Sequence, residues 1–121
     1  MKNAINFFFG LILISGCNGP KIELKIAQVF SNHMVLQQDQ SNAVWGTAAP
    51  NTEITLTSSW GEEITVQADS VGYWTLLLPT PRFNKDEPSK NYSINVTDGD
   101  SKIDISDVLI GEVWLASGQS N

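Results

Sequence analysis

Residues 92–105 read Tyr92-Ser93-Ile94-Asn95-Val96-Thr97-Asp98-Gly99-Asp100-Ser101-Lys102-Ile103-Asp104-Ile105. Tyr92, Ile94 and Val96 alternate with Ser93, Asn95 and Thr97, so an extended chain here has one apolar face and one polar face. Asp98-Gly99 is a two-residue hairpin signal, because the tight turn between twisted strands needs positive φ and these residues tolerate it. Ile103 and Ile105 bring the alternation back on a partner strand. A helix is a poor reading, since the period is two and the periodic positions are filled by Val, Ile and Thr.

Working outward, the same rhythm recurs. Ile22–Ile26 alternates apolar and charged residues. Met34-Val35-Leu36 opens a strand after the Ser31-Asn32-His33 turn, and Ala43–Ala48 is a strand with Gly46 inside it, a sign of a bulge or a close backbone approach. Ile54 and Leu56, Ile64 to Ala68, and Trp74, Leu76 and Leu78 give further alternating faces, separated by Ala49–Thr52, Ser59-Trp60-Gly61 and Asp69–Gly72. Arg82–Lys90 is a polar loop. Short strands at this spacing predict an all-β fold, an antiparallel β-sandwich of jelly-roll or Ig-like type, over residues 22–107.

Val108–Ala116 departs from the rhythm. It is nearly continuously apolar, as expected for a strand buried on both faces in a parallel sheet. The expectation is that the sandwich ends at Asp107 and that 108–121 begins a different, α/β-type domain.

The chain has 121 residues, 41% of them apolar, enough for one packed domain. A net charge of −6 with seven scattered Lys and Arg excludes a nucleic-acid surface. At the amino terminus Lys2 precedes an apolar run from Phe7 to Ile14, then Ser15-Gly16-Cys17, which reads as a secretory signal over residues 1–16. The run is too short for a mature transmembrane helix, which needs about 20 apolar residues. Ile14-Ser15-Gly16-Cys17 resembles a bacterial lipoprotein lipobox. The resemblance implies acylation of Cys17, a short tether over 17–21, attachment to the membrane through that lipid, and export to the bacterial envelope, in the outer membrane or periplasm. An ordinary cleaved signal with an incidental cysteine is the plainer alternative.

Ser120, in Ser117-Gly118-Gln119-Ser120-Asn121, follows the apolar run. Such a serine is either a loop or cap residue or a nucleophile lifted clear of a sheet, with its own N–H turned to an oxyanion. A nucleophilic serine needs a base, and no histidine follows it. His33 is the only histidine; in a turn before an apolar strand it reads as structural, not as the base. One His and one Cys make no metal site, and nothing calls for a cofactor. Of four tryptophans, Trp74 shares a face with Leu76 and Leu78 and reads as core, whereas Trp60 beside Gly61 sits in a turn and is the candidate for stacking on a sugar. Asn91-Tyr92-Ser93 and Asn95-Val96-Thr97 match the N-glycosylation pattern but are discounted for a bacterial chain.

Two stretches carry a resemblance. Phe30-Ser31-Asn32-His33-Met34-Val35-Leu36-Gln37-Gln38 with Val44-Trp45-Gly46, and Asp107–Asn121 ending in Gly118-Gln119-Ser120-Asn121, resemble bacterial sialate O-acetylesterases of the SGNH hydrolase superfamily; Gly72-Tyr73-Trp74 fits between them. The resemblance implies a β-sandwich followed by a flavodoxin-like α/β catalytic domain. It implies Ser120 as nucleophile and as one oxyanion donor through its N–H, with an O-acetylated sugar, sialic acid or another glycan, as substrate. The remaining oxyanion donors, the histidine base and its aspartate belong to later blocks of that family, so the chain reads as an amino-terminal fragment, inactive alone. The rival reading is a non-catalytic envelope lipoprotein whose sandwich binds glycans or a protein partner.

Overall fold

The computed structural model describes residues 22–114. Eight strands follow in order: β1 (Lys25–Ile26), β2 (Val35–Gln37), β3 (Ser41–Thr47), β4 (Glu53–Ser58), β5 (Glu63–Gln67), β6 (Tyr73–Pro79), β7 (Tyr92–Thr97) and β8 (Lys102–Gly111). They form a three-stranded sheet, β1-β3-β6, and a five-stranded sheet, β2-β8-β7-β4-β5. No helix occurs among the described residues. The two-residue period does the building. Along β6 every second side chain, Trp74, Leu76 and Leu78, is buried. Ile54 and Leu56 of β4 and Ile94 and Val96 of β7 face them across one core with Val44, Ile105 and Val108. Each such side chain taken out of water contributes about 1.5–3 kcal/mol. The expected all-β sandwich is the fold.

Gly46 is a point of close approach, not a bulge. A Cβ there would lie 2.0 Å from the Lys25 carbonyl oxygen and 2.6 Å from Trp74 Cζ2. The missing side chain lets β1 press onto β3 in register Ile26↔Gly46 while the Trp74 ring packs beneath.

Three details differ from expectation. The hairpin at Asp98-Gly99 has a four-residue loop, since Thr97 pairs with Lys102. Asp98 Oδ1 accepts from the N–H groups of Asp100 (2.9 Å) and Ser101 (2.6 Å), which makes the longer loop a closed local structure. Secondly, not every pairing is antiparallel: β2 runs parallel to β8.

Thirdly, the sandwich does not end at Asp107. β8 continues through Gly111 in the same sheet. Ile94 pairs with Ile105 but Tyr92 with Val108, so β8 carries one extra residue at this point. Asp107 takes it up at φ 57°, the left-handed region that Asp tolerates. The bulge flips the phase. Ile105 is buried before it, Val108 and Ile110 after it, and Leu109 points outward. After the flip the inward positions are Val108 and Ile110, and the outward Leu109 between them is apolar too, which is why the run suggested a strand covered on both faces.

Candidate functional site

Ser120 and Cys17, the two residues with expected chemical roles, lie outside the described residues. The structure instead shows the support from which the chain leaves toward Ser120. Because β2 and β8 are parallel, in register Val35↔Leu109, Leu36↔Ile110 and Gln37↔Gly111, their carboxyl ends lie side by side. Glu112, the first residue past β8, is clasped there. Gln37 Nε2 donates to Glu112 Oε2 at 2.9 Å and Gln38 Nε2 to Oε1 at 2.6 Å. The other ends of both amides are used as well. Gln37 Oε1 accepts from the Val113 N–H at 2.8 Å, and Gln38 Oε1 from the Phe83 N–H at 2.6 Å. The Gln38 N–H itself donates to the Gly111 carbonyl at 2.8 Å.

The end of β2 is tied from below. Thr80, the one buried polar residue in the core region described, donates its hydroxyl to the Gln37 carbonyl at 2.5 Å, and Asn42 Nδ2 donates to the same oxygen at 3.1 Å. The hydrogen bonds from Gln37 and then Gln38 hold the Glu112 carboxyl below its ordinary range, against a smaller opposing effect of removal from water. Above this clasp lies an open polar cleft of about 520 Å³, which Arg82, Phe83 and Lys85 close from the side. Arg82 pairs with Asp39 at 3.3 Å, an exposed pair of small energetic consequence. The arrangement fixes the position and direction of the chain at Glu112 and Val113; it contains no nucleophile–base pair.

His33 has a carboxylate partner: its Nδ1 is hydrogen-bonded to Asp107. Both residues sit at positive φ, 71° and 57°, where β2 begins and where β8 bulges. That is the opposite end of the parallel pair from Glu112, about 17 Å along β8 at a strand's rise per residue. The pair fastens the start of β2 to β8, together with the Leu109 N–H to Met34 carbonyl bond of 3.0 Å. Among the described residues no group of three or more His, Cys, Asp and Glu could hold a metal.

The tryptophans divide differently from expectation. Trp74 is buried as expected. Trp60 is not a free platform: its Nε1 donates to the Pro79 carbonyl at 2.9 Å, and its ring meets Tyr92 edge-on at 5.5 Å. Trp45 and Trp114 are the exposed ones. The signal was legible, because strict alternation through Val44-Trp45-Gly46 places Trp45 opposite in face to Val44. Gln37, Gln38 and Glu112 were missed as a group, since nothing in sequence joins residues 74 and 75 positions apart.

The chain is 31% identical over 126 aligned residues to the sialate O-acetylesterase of Mus musculus, an alignment covering 93% of this chain and 22% of that protein. The sialate O-acetylesterase of Homo sapiens is 32% identical over 111 residues, covering 83% of this chain and 20% of that protein. The chain is homologous to the sialate O-acetylesterases. Among solved structures, a carbohydrate acetylesterase from Xanthomonas citri superposes with a TM-score of 0.71 at 33% identity, over 82% of this chain and 22% of that one. No family model matches. The homologue thus spans about a fifth of the length of the sialate O-acetylesterases it matches.

Proposed function

We propose that this chain is the amino-terminal part of a longer carbohydrate O-acetylesterase in which Ser120 is the nucleophile. The observation that carries the reading is identity of 31–32% with sialate O-acetylesterases across most of the chain, which nevertheless spans only about a fifth of their length. In this reading the Ser120 hydroxyl attacks the acetyl carbonyl and gives up its proton to a base. The Ser120 N–H helps hold the tetrahedral oxyanion. The sugar leaves as its free hydroxyl, and water then attacks the acetyl-serine to release acetate. The sandwich contributes a fixed point of departure, since the clasp at Glu112 sets where the chain begins its course to Ser120. In this reading the base comes from a later segment of the longer protein, and His33, hydrogen-bonded to Asp107 beside the start of β2, keeps a structural role. By the same reading the 121-residue chain alone has no esterase activity, the protein is exported, and a lipid on Cys17 holds it at the envelope.

The test is Ser120→Ala in the longer protein, assayed on a chromogenic acetyl ester. Loss of about 10³-fold or more in kcat/KM is expected when a serine nucleophile is removed. Activity within about tenfold of the parent would remove Ser120 from the mechanism.

A further inference from the structure

The outer face of the three-stranded sheet carries a feature that acyl transfer at Ser120 does not use. In the pairing of β3 with β6, Trp45 lies opposite Thr75 and Thr47 opposite Tyr73. These four share the outward face, because Val44, Trp74 and Leu76 take the core face. Trp45 is 46% exposed and Tyr73 62%. Diagonal neighbours on paired strands lie about 7–8 Å apart, so the two rings flank a common space. A cleft of about 250 Å³ opens there, with Lys25, Gln28 and Thr47 among its walls. Trp45 is braced from behind: the Phe30 ring meets it at 4.8 Å between centroids and 81° between planes. A braced indole loses little rotamer freedom when something stacks on it.

The polar groups around the rings are unspent. Among the described residues, the side chains of Lys25, Gln28, Thr47, Tyr73 and Thr75 are engaged in no side-chain hydrogen bond. The outer face of the other sheet contrasts with this, for its polar side chains pair with one another: Thr55 with Thr65 at 3.2 Å and Asn95 with Asp104 at 2.6 Å. The cleft surface is almost wholly apolar, with hydroxyls, an amide and an amine at its margin, and this combination matches one ligand chemistry well. A sugar ring has an apolar face of C–H groups and an edge of hydroxyls. A purely apolar partner would leave the polar rim without a role, and a polar one would leave the rings in water.

We propose that Trp45 and Tyr73 form a sugar-stacking platform that holds a glycan unit away from the acetyl ester being cleaved. Its consequence, which rests on the esterase reading above, is that the enzyme acts on acetylated glycan chains in preference to free acetylated monosaccharides. The platform captures one residue of the chain and raises the local concentration of its acetyl groups.

The experiment uses the longer protein, with Trp45→Ala, Tyr73→Ala and the ring-retaining Trp45→Phe. Each is assayed on 4-nitrophenyl acetate, on an O-acetylated mucin and on an O-acetylated xylan, and each is run through native gels containing those polymers. Expected are a rise of about tenfold in KM on at least one polymer for both alanine variants, unchanged kcat, unchanged 4-nitrophenyl acetate hydrolysis, and recovery in Trp45→Phe. Loss of gel retardation should follow the same order. Unchanged KM on both polymers overturns the platform while leaving the esterase reading intact. Absence of 4-nitrophenyl acetate hydrolysis in the parent defeats the esterase reading, and gel retardation that depends on Trp45 then tests the platform by itself. A parent that neither polymer retards overturns it as well.

Discussion

Replacing Gly46 with alanine tests how β1 is fitted against β3 within the three-stranded sheet. The added Cβ would lie 2.0 Å from the Lys25 carbonyl oxygen, 2.6 Å from Trp74 Cζ2 and 2.9 Å from Ile26 Cα. Two of these three are backbone atoms of β1, so no rotamer change relieves them. β1 must retreat by more than 1 Å to reach ordinary contact. Overpacking of this kind costs about 1–3 kcal/mol. Retreat also weakens the β1–β3 pairing and the Ala27 N–H to Trp45 carbonyl bond of 3.0 Å, at about 1 kcal/mol for each hydrogen bond lost. Alanine returns about 0.5–1 kcal/mol through lower backbone entropy in the unfolded chain. The net expectation is a loss of about 3 kcal/mol, or roughly 12–24 °C in Tm for a domain of this size. Urea unfolding followed by tryptophan fluorescence measures it, because Trp74 lies at the contact. The internal control is Gly111→Ala, where a Cβ meets nothing within 4 Å and the cost should stay within about 0.5 kcal/mol. If Gly46→Ala melts within a few degrees of Gly111→Ala, the close approach is not what holds β1 in place.

Two further outcomes follow from carboxylates that accept more than one hydrogen bond. Asp69 Oδ1 accepts from the N–H groups of Tyr73 (2.9 Å), Val71 (2.9 Å) and Gly72 (2.8 Å), and the Tyr73 bond is the main cause of a carboxyl held below its ordinary 3.8. A pKa depressed by folding adds stability that is present above the unfolded value and is lost as pH falls through the folded one. Acid melts should therefore lose Tm below about pH 4, and Asp69→Ala should start lower at neutral pH and fall less steeply; parallel profiles would refute this. Glu112→Gln puts an amide where two amide donors converge on a carboxylate, so one donor must lose its partner. Exchange of the Val113 amide should quicken at least about tenfold in native-state hydrogen exchange, whereas unchanged protection would show that Gln37 holds that N–H without help from Glu112.

The strands were legible because each one solves the same local problem, one face in and one face out. β7 runs from Tyr92 to Thr97, the bounds that its alternation set. Pairings between distant strands were not legible. Val35 and Leu109 are partners across most of the chain, and neither segment carries a mark of the other. The bulge at Asp107 misled for a different reason: one inserted residue shifts the inward positions from odd to even, and the eye reads the join as a change of fold. Trp60 misled because its neighbour Gly61 argues for a turn but says nothing of the Pro79 carbonyl waiting for the indole N–H. Of the candidate site, the glutamine clasp at Glu112 was not legible, because it exists only once β2 and β8 meet.

The parallel pairing of β2 with β8 also orders events in time. During synthesis Val35–Gln37 leaves the ribosome early, and its partner Leu109–Gly111 leaves more than seventy residues later. At a synthesis rate of about 5–20 residues per second, β2 waits several seconds with that edge unpaired. Its pairing closes one of the longest loops in the described chain, and loop closure of this span costs entropy before any contact repays it. The seam that shuts last is therefore the one from which the chain departs toward Ser120. A nascent chain halted before Gly111 carries an open strand edge, so the order of assembly leaves β2 without this partner until nearly all of the sandwich has been made.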